Sequence, residues 1–105
     1  MSISRMSREE VVTELATLPG WTIAEDGLSM AQTFIFNDFS EAFAFMTRVA
    51  LEAEKTDHHP EWFNVWNRVE ITLNTHDAQG ISKRDIAMAT AIKAILASRV
   101  SDKKA

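Results

Sequence analysis

Apolar residues recur along this chain at two spacings, and the change from one to the other marks out its elements. Val11, Leu15 and Leu18 fall on one helical face. Ser7 and Glu10 precede them at the spacing of a capping box, and Pro19 and Gly20 end the run. Residues 21–24 and 28–36 read as strands joined through Asp26 and Gly27, a pair suited to a tight hairpin because glycine tolerates positive φ. In the second of these strands Leu28, Met30, Phe34 and Phe36 share a period of two, which points one face at a core. Asp38 followed by Glu41 then opens the clearest helix, with Phe39, Ala42, Phe43, Met46, Val49, Ala50 and Ala53 as its apolar stripe. Phe34, Phe36, Phe43 and Met46 are expected in the core.

The period returns to two at 62–66 and 69–74, a second hairpin with Asn67 and Arg68 as its turn. Val69, Ile71 and Leu73 alternate with Glu70, Thr72 and Asn74, the pattern of a half-buried antiparallel strand. Trp62 and Trp66 share a face of the preceding strand and read as core before they read as ligand-stacking residues. A loop holding Gly80 leads to Ser82 and Asp85, which open a last helix carrying Ile86, Met88, Ala89, Ile92, Ile95 and Leu96. The polar end, 101–105, is expected to fray. The order α-β-β-α-β-β-α predicts an α+β fold, a four-stranded antiparallel sheet with helices packed on one face. Apolar positions on the last helix spread wider than one stripe. That pattern fits either a self-associating surface or a deeply buried helix.

Composition narrows the class without changing this outline. At 105 residues, 46% hydrophobic and 25% charged, the chain reads as a single globular domain over 1–105. It has no cysteine, which excludes disulfides, thiolate chemistry and cysteine-held metals. Its longest apolar run, 42–46, is far below the roughly 20 residues of a membrane span. The first ten residues show no secretory pattern, so no membrane contact is expected and a cytoplasmic location is the default. With a net charge of −4 and no basic patch, direct nucleic-acid binding is not expected.

Candidate chemistry concentrates between the second and third helices, where His58, His59 and His76 all fall. Histidine titrates near neutral pH, so two in different protonation states can serve as acid and base. Pro60 biases His59 to an extended backbone, in which adjacent side chains point to opposite sides. His58 and His59 should therefore have different tasks. Glu54, Asp57, Glu61, Asp77 and Asp85 are near enough in sequence to fix a histidine tautomer. Three readings stay open on the residues alone: a polar junction or cap, a three-histidine metal site of the open zinc type, and an acid–base site. Asp85 likewise fits both a capping box begun by Ser82 and a functional role. Glu52, Glu54 and Lys55 are most simply a solvated helix end.

The run Glu54-Lys55-Thr56-Asp57-His58-His59-Pro60-Glu61-Trp62-Phe63-Asn64-Val65-Trp66 resembles the central motif of the pterin-4a-carbinolamine dehydratases. That motif has an acidic residue, three spacers, His-His-Pro, five spacers and an aromatic. After nine more spacers comes a histidine, here His76, and after eight an aspartate, here Asp85. The likeness extends over about residues 34–95, and the family's element order is similar to the one read above. Trp66 stands where Tyr is common.

The resemblance implies a hydro-lyase that removes water from a 4a-hydroxytetrahydropterin to give quinonoid dihydropterin, recycling the cofactor of aromatic amino acid hydroxylases. It implies that His58 and His76 transfer protons and that His59 binds and orients the pterin. Glu54, Asp57 and Asp85 would position or tune the histidines, and Trp62 would pack against the ring. No metal or organic cofactor is implied. A homodimer or homotetramer is expected, with a hydroxylase as a pathway partner. Animal members also stabilise the dimer of a homeodomain transcription factor, so a protein-binding module is the alternative function; a metal-dependent hydrolase is a third.

Overall fold

A computed structural model describes residues 3–102 of the chain, with side chains to residue 98. The elements run α1 (Arg8–Leu15), β1 (Thr22–Ile23), β2 (Met30–Ile35), α2 (Phe39–Thr56), β3 (Glu61–Val65), β4 (Arg68–Leu73), a 3-10 turn (His76–Ala78) and α3 (Lys83–Asp102). The strands form one antiparallel sheet in the order β1-β2-β4-β3, with the second hairpin docked through β4 onto β2. This is the α-β-β-α-β-β-α arrangement that the periodicity predicts. Backbone at Ser101 and Asp102 remains helical, and the rest of the polar end lies outside the described residues.

Caps fall where the sequence puts them. Ser7 and Glu10 bond reciprocally at the start of α1, and Asp38 accepts from the Glu41 amide at the start of α2. In β4 the side chains of Val69, Ile71 and Leu73 are fully buried, on the strand that α2 packs against. Met30, Phe34 and Phe36 join them from β2 and its end. Burying each such side chain contributes about 1.5–3 kcal/mol, which is what holds the helices to this face.

Four readings of the pattern are corrected. Phe43 is 55% exposed, and Phe45, at 2%, is the core residue. Ala42, Phe45, Val49 and Ala53 are the buried face of α2, spaced by three or four residues. Phe45 packs 5.1 Å from the Phe34 ring and 4.9 Å from that of Phe36. Phe43 instead stacks on Phe39, 5.7 Å away, on the outside of the helix. Leu28, the first of the supposed inward positions, is 40% exposed because β2 begins only at Met30.

The second hairpin turns at Trp66 and Asn67, since Val65 pairs with Arg68. Trp66 is therefore outside β3, at φ 47°, and 61% exposed rather than core. Side-chain amides secure this turn: Asn64 Nδ2 donates to the Trp66 and Arg68 carbonyls, and Asn67 Nδ2 to that of Phe36. Finally, among the described residues none of the large exposed apolar side chains lies on α3, where Ile86, Ile95 and Leu96 are half-buried against the core. The exposed ones lie on α2 (Phe39, Phe43, Leu51), on α1, before β2, and on the uncovered sheet face and its turn (Ile35, Phe63, Val65, Trp66).

Candidate active site

The site starts from the way α2 ends. Asp57 adopts a left-handed conformation, φ 55° and ψ 42°, and its amide bonds back to the Ala53 carbonyl. The His58 amide reaches the same carbonyl at 3.1 Å. This stop turns the chain sharply, so that His58 points inward, 9% exposed, while His59 points out.

His58 meets the start of α3. Its Nε2 lies 2.6 Å from Asp85 Oδ1, and Asp85 has no exposure at all. The other carboxylate oxygen accepts from Thr75 Oγ1 and from the Ser82 amide, each at 2.9 Å. Since the Thr75 hydroxyl spends its one proton on Asp85, the 2.6 Å contact between Thr75 and Ser82 has Ser82 as donor. The Ser82 hydroxyl in turn accepts from the Arg84 amide at 3.2 Å. Asp85 thus caps α3 and anchors His58 at once, and every polar group of this buried cluster has a partner. An ionised Asp85 only accepts, so Nε2 of His58 carries the proton. In the neutral ring Nδ1 is then left as the base.

His76 comes from a different element. A bridge between Thr75 and Gly80 closes the loop after β4, and the 3-10 turn inside it presents His76 exposed at its start. Its ring has no hydrogen-bond partner among the described residues. His59 is paired with Glu54, Nε2 to Oε1 at 2.9 Å, with both side chains more than half exposed. That pair is worth little in stability.

All three histidines line one cavity of about 250 Å³, together with Asp57, Asn74, Thr75, Asp77 and Arg84. Glu54 reaches it through His59, and Asp85 through His58 and Thr75. Trp62 does not line it; it sits on the inner sheet face opposite Ile71, half-buried against the core. Among the described residues no three histidine or acidic side chains are arranged to hold a metal ion. What the geometry offers is an imidazole held by a buried carboxylate and a second, unheld imidazole facing the same polar space, the means for moving two protons in one step.

Residues 4–95 match the model of the pterin 4 alpha carbinolamine dehydratase family. The chain belongs to this family. A provisionally named pterin-4-alpha-carbinolamine dehydratase of Novosphingobium aromaticivorans is 58% identical over 91% of this chain and all of the relative. One of Sinorhizobium fredii is 45% identical over 97% of both chains. The crystal structure of a transcriptional coactivator/pterin dehydratase from Brucella melitensis superposes with a TM-score of 0.84 at 46% identity, covering 88% of this chain and 98% of the other. A pterin dehydratase-like protein identified as a RuBisCO assembly factor shares the fold, with a TM-score of 0.63 at 22% identity over 72% of this chain and 88% of the other.

Within the dehydratase-family fold, sequence reasoning assigned no role to Thr75, Ser82 or Arg84 beyond capping. Thr75 did leave a signal: it continues the inward register of 69, 71 and 73, so a hydroxyl there must be buried and needs a partner. Arg84 left none. Arg84 lines the histidine cavity and an adjoining one of about 120 Å³, and its side chain has no carboxylate partner among the described residues.

Proposed function

We propose that this protein dehydrates a 4a-hydroxytetrahydropterin to quinonoid dihydropterin, with His58 and His76 as the proton-transferring pair. The observation that carries this reading is the convergence of His58, His59 and His76 on one cavity, with His58 backed by the buried Asp85. In the reaction the C4a–O bond breaks and the hydroxyl leaves as water on receiving a proton from the acid. The base takes the N5 proton, and the N–H electron pair becomes the C4a=N5 double bond. Atoms and charge balance with side chains alone.

His59, exposed and paired with Glu54, binds and orients the ring, while Asp57 and Asp77 bring carboxylates to the same cavity. Such an activity would serve an aromatic amino acid hydroxylase in the cytoplasm. The test is the dehydration rate of freshly generated 4a-hydroxytetrahydropterin with and without the protein, in chelator. Acceleration that is lost in His76→Ala supports the assignment; no acceleration by the parent protein overturns it.

A second reading, a protein-binding module, is favoured by the apolar side chains left outside the fold. Phe39 and Phe43 stack on α2, and Ile35, Phe63 and Val65 lie on the uncovered sheet face. Exposed groups of this kind suit self-association to a dimer or tetramer, or a partner protein. Surface substitutions that abolish assembly while turnover survives would separate the two activities.

A further inference from the structure

The histidine cavity does not end at His76. A second, larger cavity of about 670 Å³ shares Asn74, Thr75 and His76 with it and continues to Leu28, Ser29, Gln79 and Arg5. Among the described residues that line it there is no carboxylate, and Arg5 is the one unambiguous cation.

The fold holds Arg5 there. The Met6 amide bonds to the Ile81 carbonyl at 2.8 Å, and Met6 is itself buried. The side chain of Arg5 crosses the loop that presents His76, donating from one guanidinium nitrogen to the Gln79 carbonyl at 3.2 Å. Gly80 makes room for its stem, since a Cβ there would fall 2.4 Å from Arg5 Cδ. One guanidinium hydrogen bond leaves the fork's other donors free, and Arg5 has no ion-pair partner among the described residues. Leu28, exposed against its strand pattern, supplies an apolar wall to the same cavity.

We infer that this cavity is a subsite for the substituent on the pterin ring, and that it selects a substituent ending in an oxyanion, phosphate or carboxylate, held by Arg5. The inference rests on the pterin reading of the histidine cavity. An alkyl chain leaving the ring past His76 would lie along Leu28, and its terminal oxyanion would meet a planar fork of donors that suits either anion.

The experiment is calorimetric binding of three dihydropterins that differ only at the end of the same side chain: a hydroxyl, its phosphate ester and a carboxylate. The protein should bind an anionic form about five- to tenfold more tightly than the alcohol, as expected of a partly exposed charge-assisted contact. A preference for one anion alone identifies which source the site takes. Raised salt should erode the preference. Arg5→Gln should bring the ratio of affinities close to one, and Arg5→Lys should keep part of it. Each ratio is taken within one variant, so the alcohol reports whether the cleft is folded. Equal affinity for the three ligands, or a preference that survives Arg5→Gln, overturns the inference while leaving the pterin reading standing. Failure of the unaltered protein to bind any of the three overturns both.

Discussion

His58 Nε2 lies 2.6 Å from Asp85 Oδ1, in a place that water does not reach on the carboxylate side. The contact dictates which ring nitrogen carries the proton, because a carboxylate bonded to Thr75 and to the Ser82 amide can only accept. Asp85→Asn keeps the shape but reverses this. The amide oxygen stays with Thr75 and Ser82, so the NH2 group faces His58 and forces its other tautomer. Turnover should fall by about 10²-fold or more with ligand affinity nearly unchanged. Nitrogen NMR of the His58 ring should show the switch.

His58 and His76 should both be needed for turnover, each loss slowing it by about 10²-fold, but they should differ in stability. His58→Ala strips the buried Asp85 of a partner and should cost about 3 kcal/mol. His76 is exposed and its ring holds nothing in the fold, so His76→Ala should stay within about 0.5 kcal/mol. Urea unfolding of the two variants compares them directly.

His59 stands outside this buried pair. Its contact is with Glu54 at the surface, and the role proposed for it is on the ligand rather than on a proton held by the core. His59→Ala should raise KM more than it lowers kcat, the result when binding common to ground and transition states is removed. A kcat loss as deep as that of His76→Ala would move His59 into the proton-transferring pair.

How much of this was legible follows from what each residue's signal depends on. Alternation and caps are local, so the helices, the strands and the opposite directions of His58 and His59 could be read directly. The stripe read on α2 took in Phe39 and Phe43 and passed over Phe45, and only the sheet packed beneath the helix selects Phe45. Trp66 kept the strand's period of two, yet the pairing of Val65 with Arg68 puts it in the turn. Asp85 announced a cap; that its other oxygen meets His58, 27 residues earlier, depends on how α2 and α3 cross. Long-range contacts of that kind leave no trace in spacing unless a known family supplies it.

Thr75→Val tests the polar cluster behind the histidine. The substitution is close in shape, but it takes a donor from Asp85 Oδ2 and leaves the Ser82 hydroxyl without its acceptor. Loss of stability by about 1–3 kcal/mol is expected, the usual cost of orphaned buried polar groups. Thr75→Ser, which restores the hydroxyl, should recover most of it. If valine is tolerated as well as serine, the hydroxyl chain does not hold Asp85.

The last prediction concerns the face of α2 from which the site is hung. Phe45 is 2% exposed and touches both Phe34 and Phe36, so truncating it opens a cavity among side chains fixed by the sheet. Phe45→Ala should cost about 3–5 kcal/mol. Phe43, two residues away and 55% exposed, leaves no cavity when cut back, and Phe43→Ala should change monomer stability by less than about 1 kcal/mol. Because Phe43 stacks on Phe39 outside the fold, its removal should register instead in assembly. Unfolding at several protein concentrations separates the two effects. A Phe43→Ala loss that grows with protein concentration places this stack in an interface. A large loss that is independent of concentration would mean that Phe43 supports the core after all.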